Sequence, residues 1–316
     1  MPGAGGGQPE DRGRRAGWEG AGRRRADRPG QAKESQRQPG KGSRDLPRNH
    51  PRPGISGMSR IVTLTTDFGS SSVYVAEIKG RLLHAPGGCT LVDIAHDLPA
   101  HDIRAAAWLV SRACFAFPPG TLHLVVIDPG VGTARRMVWV KIDGHEFLAP
   151  DNGVLSLAIA ARPPEAVRTL PEPADASATF HGRDVVAVAA GRLLAGEPPE
   201  LLGREHGPLA RFDEPLPAEG VDGLRGEVRF IDSFGNLITN LPADCWPRIE
   251  AAGGVFLSER PIQRAVRTYG DAPPGTAVVL VGSQGVVEIA VVEGSAARLL
   301  GGEIGSPVRI AAGGRA

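Results

Sequence analysis

The 316-residue chain has little of what marks several large classes of protein. Its three cysteines, Cys89, Cys114 and Cys245, are scattered and odd in number. That excludes a disulfide framework or a zinc cluster and fits a reducing cytoplasm. No apolar run approaches the length of a membrane span. Phosphate-gripping signatures are missing: there is no P-loop, and "DPGVGTA" is not a G-x-G-x-x-G opening a helix. No G-x-S-x-G elbow is present, and none of the cysteines sits in a nucleophile's context. Metal-ligand spacings such as H-x-x-E-H or H-x-H are absent around Asp67, His96, His101, Asp128 and His181. An arginine beside such groups is unwelcome to a cation, so no metal is expected.

The first 57 residues have almost no aliphatic side chains and cannot bury a core. Of the 36 Lys+Arg and 35 Asp+Glu, residues 1–57 hold 13 and 6, leaving 23 and 29 for the rest. An overall charge of +1 therefore hides a basic leader and a mildly acidic body. The leader is expected to be disordered. Its basic "GRRRADR" suggests a nucleic-acid-binding arm, but six acidic residues oppose a transit peptide and no apolar stretch suggests secretion. Translation from a start placed too early fits best, because "MSRIVTLTTDFG" begins at Met58, just before the first strand-like run. The acidic body makes nucleic acid an unexpected partner.

From there the pattern is strand, helix, strand, helix, strand. Residues 60–68 are β-branched and apolar, 73–85 carry apolar residues at helical spacing, and 89–96 form a second strand. An amphipathic helix over 101–117 stops at Pro118-Pro119-Gly120, and a third strand covers 121–128. This rhythm predicts a three-layer α/β domain with a mainly parallel sheet over 58–196. A Pro-rich linker follows at 197–219, and short strands between turn signals predict a small β-barrel over 220–316.

Parallel strands send their carboxyl ends to one rim, where ligands of open α/β sheets bind. Asp67, Asp93 and Asp128 each fall at or near such an end. Asp93 reads as structural because its strand runs on past it. In "VIDPGVGTARR", an apolar strand runs into Asp128, a Pro-Gly turn, and then Arg135 seven residues later. Alone, that stretch is a turn closed by a salt bridge.

"TLTTDFG", "VIDPGVGTARR", "PDNG", "TFHGRD" and "IDSFGNLITN", in this order, closely resemble the adenosine-forming S-adenosyl-L-methionine hydrolases, relatives of the fluorinase and chlorinase. The resemblance covers about residues 59–312 and implies an α/β domain plus a small β-barrel, assembled as homotrimers with active sites between subunits. It implies hydrolysis of S-adenosyl-L-methionine by water attacking C5′, giving adenosine and L-methionine, with no cofactor. Asp128, Arg135 and His181 match the family's hydrolytic Asp-Arg-His set. Asp67 would hold the ribose hydroxyls, Asp232 the methionine ammonium and Asn236 the adenine edge, with Phe234 in the same loop. Ser283 and Glu288, with Val291 through its backbone, match positions lining the methionine and adenine pocket.

The same positions bear on the alternatives, a halogenase or a slow-turnover adenosine or S-adenosylmethionine sensor. Where this chain has Asp128 the halogenases carry a tyrosine, and where it has His181-Gly182 the fluorinase carries Tyr-Ser. A carboxylate there repels a halide but orients water. Asp128, Arg135 and His181 together would position and partly deprotonate that water, and either Asp128 or His181 would be the base. His101 falls where the halogenases place a substrate-flanking tryptophan. Tyr74 either lines the pocket or packs on its helix, while Arg136, Arg183 and Asp184 read as structural.

Overall fold

The protein is described by a computed structural model over residues 59–312, and the expected leader lies outside them. The first strand, β1 (Arg60–Thr66), is β-branched and buried along its last five residues, as befits a strand covered on both faces. Ser72 then starts α1 (Val73–Leu83) by accepting from the Tyr74 amide at 3.2 Å. After β2 (Cys89–Ala95), Asp102 caps α2 (Ile103–Ala113) by accepting from the Ala105 amide at 2.9 Å.

Four further strands, β3 (Leu122–Val126), β4 (Met137–Ile142), β5 (His145–Pro150) and β6 (Ala166–Leu170), continue the sheet. A two-residue edge strand, β7 (Arg204–Glu205), lies inside the segment expected to be linker and pairs with β6. Strand order is β2-β1-β3-β5-β4-β6-β7. The β1–β2, β1–β3 and β3–β5 pairs are parallel, whereas β5–β4, β4–β6 and β6–β7 are antiparallel. The sheet is thus mixed, and the expectation of a mainly parallel one is corrected. Asp143 and Gly144, at φ 49° and 74°, make a tight hairpin turn that folds β5 straight back on β4.

The strand β3 shows how the layers form. Leu122, Leu124 and Val126 face one core with Ile78 and Leu82 of α1 and Leu193 of α4 (Ala187–Leu194). Val125 and Ile127 face the other, with Val110 of α2 and Ile159 of α3 (Ser156–Ala161). Helices therefore cover both faces of the sheet. Emptying one such position, for example Leu82→Ala, costs about 2–5 kcal/mol.

The second sheet contains β8 (Ala218–Gly220), β9 (Gly223–Ile231), β10 (Leu237–Pro242), β11 (Val255–Leu257) and β12 (Arg260–Ile262). It is completed by β13 (Ala277–Val281), β14 (Val286–Val291) and β15 (Pro307–Ala311), with short helices α5 (Trp246–Ala252) and α6 (Ala296–Leu300). Strand order is β12-β11-β15-β9-β10-β14-β13, antiparallel throughout, with β8 added on β9. Beyond β12, Val279 donates to the Arg264 carbonyl at 2.9 Å and accepts from Val266 at 3.0 Å, so the sheet nearly closes on itself. Val228, Leu237, Ile289 and Val308 fill this barrel-like interior. Where the two sheets meet, Trp108 of α2 stacks on Phe230 of β9, centroids 4.4 Å apart.

Candidate active site

The last paired residues of β1 and β3 are Thr66 and Val126, so Asp67 and Asp128 leave neighbouring strands at the same rim. Asp93 lies within β2 opposite Leu64 and is held by Lys79 at 2.6 Å and His96 at 3.0 Å. Its carboxyl is kept below the usual range against the opposing effect of burial, which is the structural role expected of it. His96 in turn meets Thr66 Oγ1 at 2.9 Å, bracing the strand end that carries Asp67.

Asp128 and Arg135 form a fork-on-fork pair. Nε of Arg135 donates to Oδ1 at 2.8 Å and Oδ2 at 3.0 Å, and Nη2 donates to Oδ2 at 2.5 Å. The side chains are only 6% and 10% exposed, so each charge depends on the other. The same Nη2 lies 2.8 Å from Nδ1 of His181. A guanidinium can only donate, so Nδ1 is the acceptor and the ring proton sits on Nε2. His181 has no free acceptor nitrogen in this arrangement, while Oδ1 of Asp128, which accepts from Nε alone, keeps a second lone pair.

Two glycines let these pieces meet. Gly132, at φ 76°, passes the loop before His181 so closely that a Cβ would lie 2.7 Å from the Ala178 carbonyl. Gly182 packs on the end of β3, where a Cβ would lie 2.9 Å from Val126 Cγ1. Gly182–Val186 form a π-helical turn, a widened geometry frequent at functional sites. Arg183 and Asp184 brace this start: Asp184 accepts from the Ser177 amide at 3.0 Å, and Arg183 donates to Asp184 and Glu77.

"PDNG" secures the stems of the Asp128–Arg135 loop. Asn152 Nδ2 donates to the Ile127 carbonyl at 2.9 Å, directly before Asp128. The Asp151 amide donates to the Arg136 carbonyl at 2.8 Å, directly after Arg135. Quoted as a motif, the block had no role in the sequence; its role is visible only in these two contacts.

Asp67, Tyr74, His101, Asp128, Phe180 and His181 line one cavity of about 310 Å³. His101 adopts φ 67°, rare for a non-glycine residue, and points its amide at Asp67 Oδ2, 2.8 Å away. Phe68, Tyr74 and Phe180 meet edge-to-face with centroids 5.0–5.9 Å apart. Tyr74 thus both lines the cavity and packs.

The remaining predicted residues lie elsewhere. Asp232, Phe234, Asn236, Ser283, Glu288 and Val291 line a second cavity of about 1000 Å³ between the barrel-like sheet and Trp108 of α2, and among the described residues none lines both. Asp232 shapes its own loop, accepting from the amides of Phe234 at 2.9 Å and Asn236 at 2.8 Å and from Asn236 Nδ2 at 3.0 Å. Phe234 is left exposed. Glu288 is buried, which pushes its carboxyl up, Asp232 adding to the effect while the hydrogen bond from Tyr269 opposes it. Burial and Glu288 in turn push the Tyr269 phenol up. Sequence reasoning missed Tyr269, because only the fold brings it against Glu288. A deep acidic floor of this kind suits a cationic ligand.

Residues 62–203 match the family model described as the SAM hydroxide adenosyltransferase N-terminal domain, and residues 226–309 match that of the C-terminal domain. A curated (R)-S-adenosyl-L-methionine hydrolase of Thermus thermophilus is 40% identical over 262 residues, 79% of this chain and 99% of that protein. One from Salinispora arenicola is 37% identical, covering 80% and 98%. A fluorinase of Actinoplanes sp. is more distant, at 29% identity covering 73% and 90%. Among solved structures, an uncharacterized conserved protein from Thermotoga maritima superposes with a TM-score of 0.72 at 31% identity, covering 80% of this chain and all of that one.

Proposed function

This chain belongs to the SAM hydroxide adenosyltransferase family, and on that premise we propose that it hydrolyses S-adenosyl-L-methionine. Water attacks C5′ as the C5′–S bond breaks. The bonding pair leaves on sulfur as neutral methionine thioether, the oxygen becomes the 5′-hydroxyl of adenosine, and one proton is released. Because the leaving group departs neutral, no general acid is needed; a positioned, partly deprotonated water is.

The arrangement of Asp128, Arg135 and His181 carries this reading. Asp128 accepts the water's proton through a lone pair that Arg135 does not use. His181 holds Arg135 from Nδ1, and so acts on the guanidinium rather than taking the proton itself. Arg135 holds the carboxylate in place beside the attacking oxygen. A halide fits this corner poorly: it meets a carboxylate, and Nε and Nη2 of Arg135 are already engaged. Asp67 receives the ribose hydroxyls, and Asp232, Asn236 and Glu288 receive the methionine ammonium and adenine.

The two groups of residues line separate cavities, which supports a homotrimer whose active sites form between subunits. Three free cysteines favour the cytoplasm as its location. Among the described residues no helix is long and apolar enough to cross a membrane.

Incubating the purified protein with S-adenosyl-L-methionine and following adenosine and methionine by chromatography tests the function. Both should appear in equal amounts, with no 5′-halo-5′-deoxyadenosine when chloride or fluoride is added. Release no faster than without protein would overturn it.

A further inference from the structure

We propose that Glu172, which no sequence motif singles out, is the positioning residue that sets the orientation of His181; its kinetic consequence rests on the hydrolase reading above. Since Nδ1 of His181 accepts from Arg135, Nε2 carries a proton that needs an acceptor. His181 is 1% exposed, and Nε2 makes no aligned hydrogen bond within the described residues. A buried donor left unpaired is destabilising. The Glu172 carboxylate stands beside it, with Oε1 3.3 Å from Nε2 but off line. A small rotation of this half-exposed side chain completes the bond.

The chain holds Glu172 there independently of that contact. It is the second residue past the end of β6 and lies between Pro171 and Pro173. Pro173 biases Glu172 to extended backbone, and Pro171 fixes the preceding φ. A cavity of about 110 Å³ beside it is walled by Val185, Val188 and Leu202, with Arg192 at its edge. Arg192 is engaged by Glu197 and by the Leu201 carbonyl at 2.9 Å, so it does not neutralise Glu172.

The result is a chain of four groups, Glu172, His181, Arg135 and Asp128. The outer carboxylate turns the ring, the ring fixes Nη2, and the guanidinium fixes the inner carboxylate toward the cavity. No proton crosses it, because a guanidinium does not give one up. Glu172 therefore orients and does not relay, as carboxylates behind functional histidines commonly do.

The full chain carrying Glu172→Ala should lose about tenfold in single-turnover rate with KM within about twofold, whereas Glu172→Gln, whose amide oxygen still accepts, should keep most of the rate. Without substrate, ¹⁵N-histidine-labelled protein should show a protected Nε2–H signal that disappears in His181→Ala. That signal should persist in Glu172→Gln and be lost to exchange in Glu172→Ala. A Glu172→Ala protein with wild-type rate and an unchanged signal overturns the proposal, as does Glu172→Gln behaving like Glu172→Ala. If the wild type releases no adenosine, the hydrolase reading fails instead, and the Nε2–H comparison alone decides the role of Glu172.

Discussion

Arg135 and Arg136 are consecutive, yet they serve different carboxylates: Arg135 grips Asp128 inside the fold, while the half-exposed Arg136 reaches Asp151 at 3.3 Å. Asp128 of the inner pair lines the smaller cavity, and the outer pair closes the loop from behind. Equal chemistry at adjacent positions thus separates into a pair at the cavity and a fastening.

Replacing the inner groups should impair chemistry more than binding. Asp128→Ala and Arg135→Ala should each lower the single-turnover rate at saturating substrate by about 10²–10⁴, with His181→Ala affected in the same sense. Asp232→Ala and Asn236→Ala should instead mainly raise KM, since their contacts are alike in ground and transition states. An Asp128→Ala protein that kept its single-turnover rate and lost only affinity would make Asp128 a binding residue.

The fastening should be asymmetric. Asn152→Ala releases the Ile127 carbonyl beside Asp128, and a displacement near 1 Å can cost about a hundredfold in rate. Arg136→Ala should stay near wild type, because Asp151 keeps the Ala210 amide at 2.7 Å and exposed ion pairs contribute about 0–1 kcal/mol. Steady-state kinetics on the two variants separate these outcomes; equal loss in both would refute the assignment.

Turnover should not need a metal. The carboxylate best placed at the corner is taken by Arg135 through both oxygens, and a second cation there would meet that guanidinium. Exhaustive chelation should leave the rate unchanged. Loss of activity restored by one divalent ion would refute this.

A pH signature is expected from a part of the molecule outside the site. His123, hydrogen-bonded to Thr63 at 2.7 Å and to His145 at 3.0 Å, is pushed down to about 3 by burial and by His145. The native state refuses a proton that the unfolded chain takes up below about 6.5, so this contribution is present above that pH and lost as pH falls. Denaturant titrations between pH 7.5 and 5 should show a stability slope in the wild type that is shallower in His123→Gln, by up to about 1.4 kcal/mol per pH unit. Parallel slopes would show that His123 does not report on folding.

Much of this was legible in the chain. The β-branched run of β1 and the Pro118-Pro119-Gly120 stop mark their elements by local chemistry alone. The sheet was misread at Asp143-Gly144, where a hairpin signal was present but the rhythm of helices and strands on either side suggested parallel strands. Asp128, Arg135 and His181 came from motif resemblance, and their tautomer logic from geometry. Glu172, Asn152 and Tyr269 depend on partners 9, 25 and 19 residues away, a proximity that only folding creates.

The separation of the two cavities has a consequence at the level of mixtures. On the proposed trimer, where neighbouring subunits each bring one cavity, an Asp128→Ala subunit still carries an intact barrel face, and an Asp232→Ala subunit an intact rim. Two inactive preparations, dissociated and reassembled together, would then regain activity by pairing the good half of one with the good half of the other. Wild-type specific activity would likewise fall on dilution, by mass action, once subunits part.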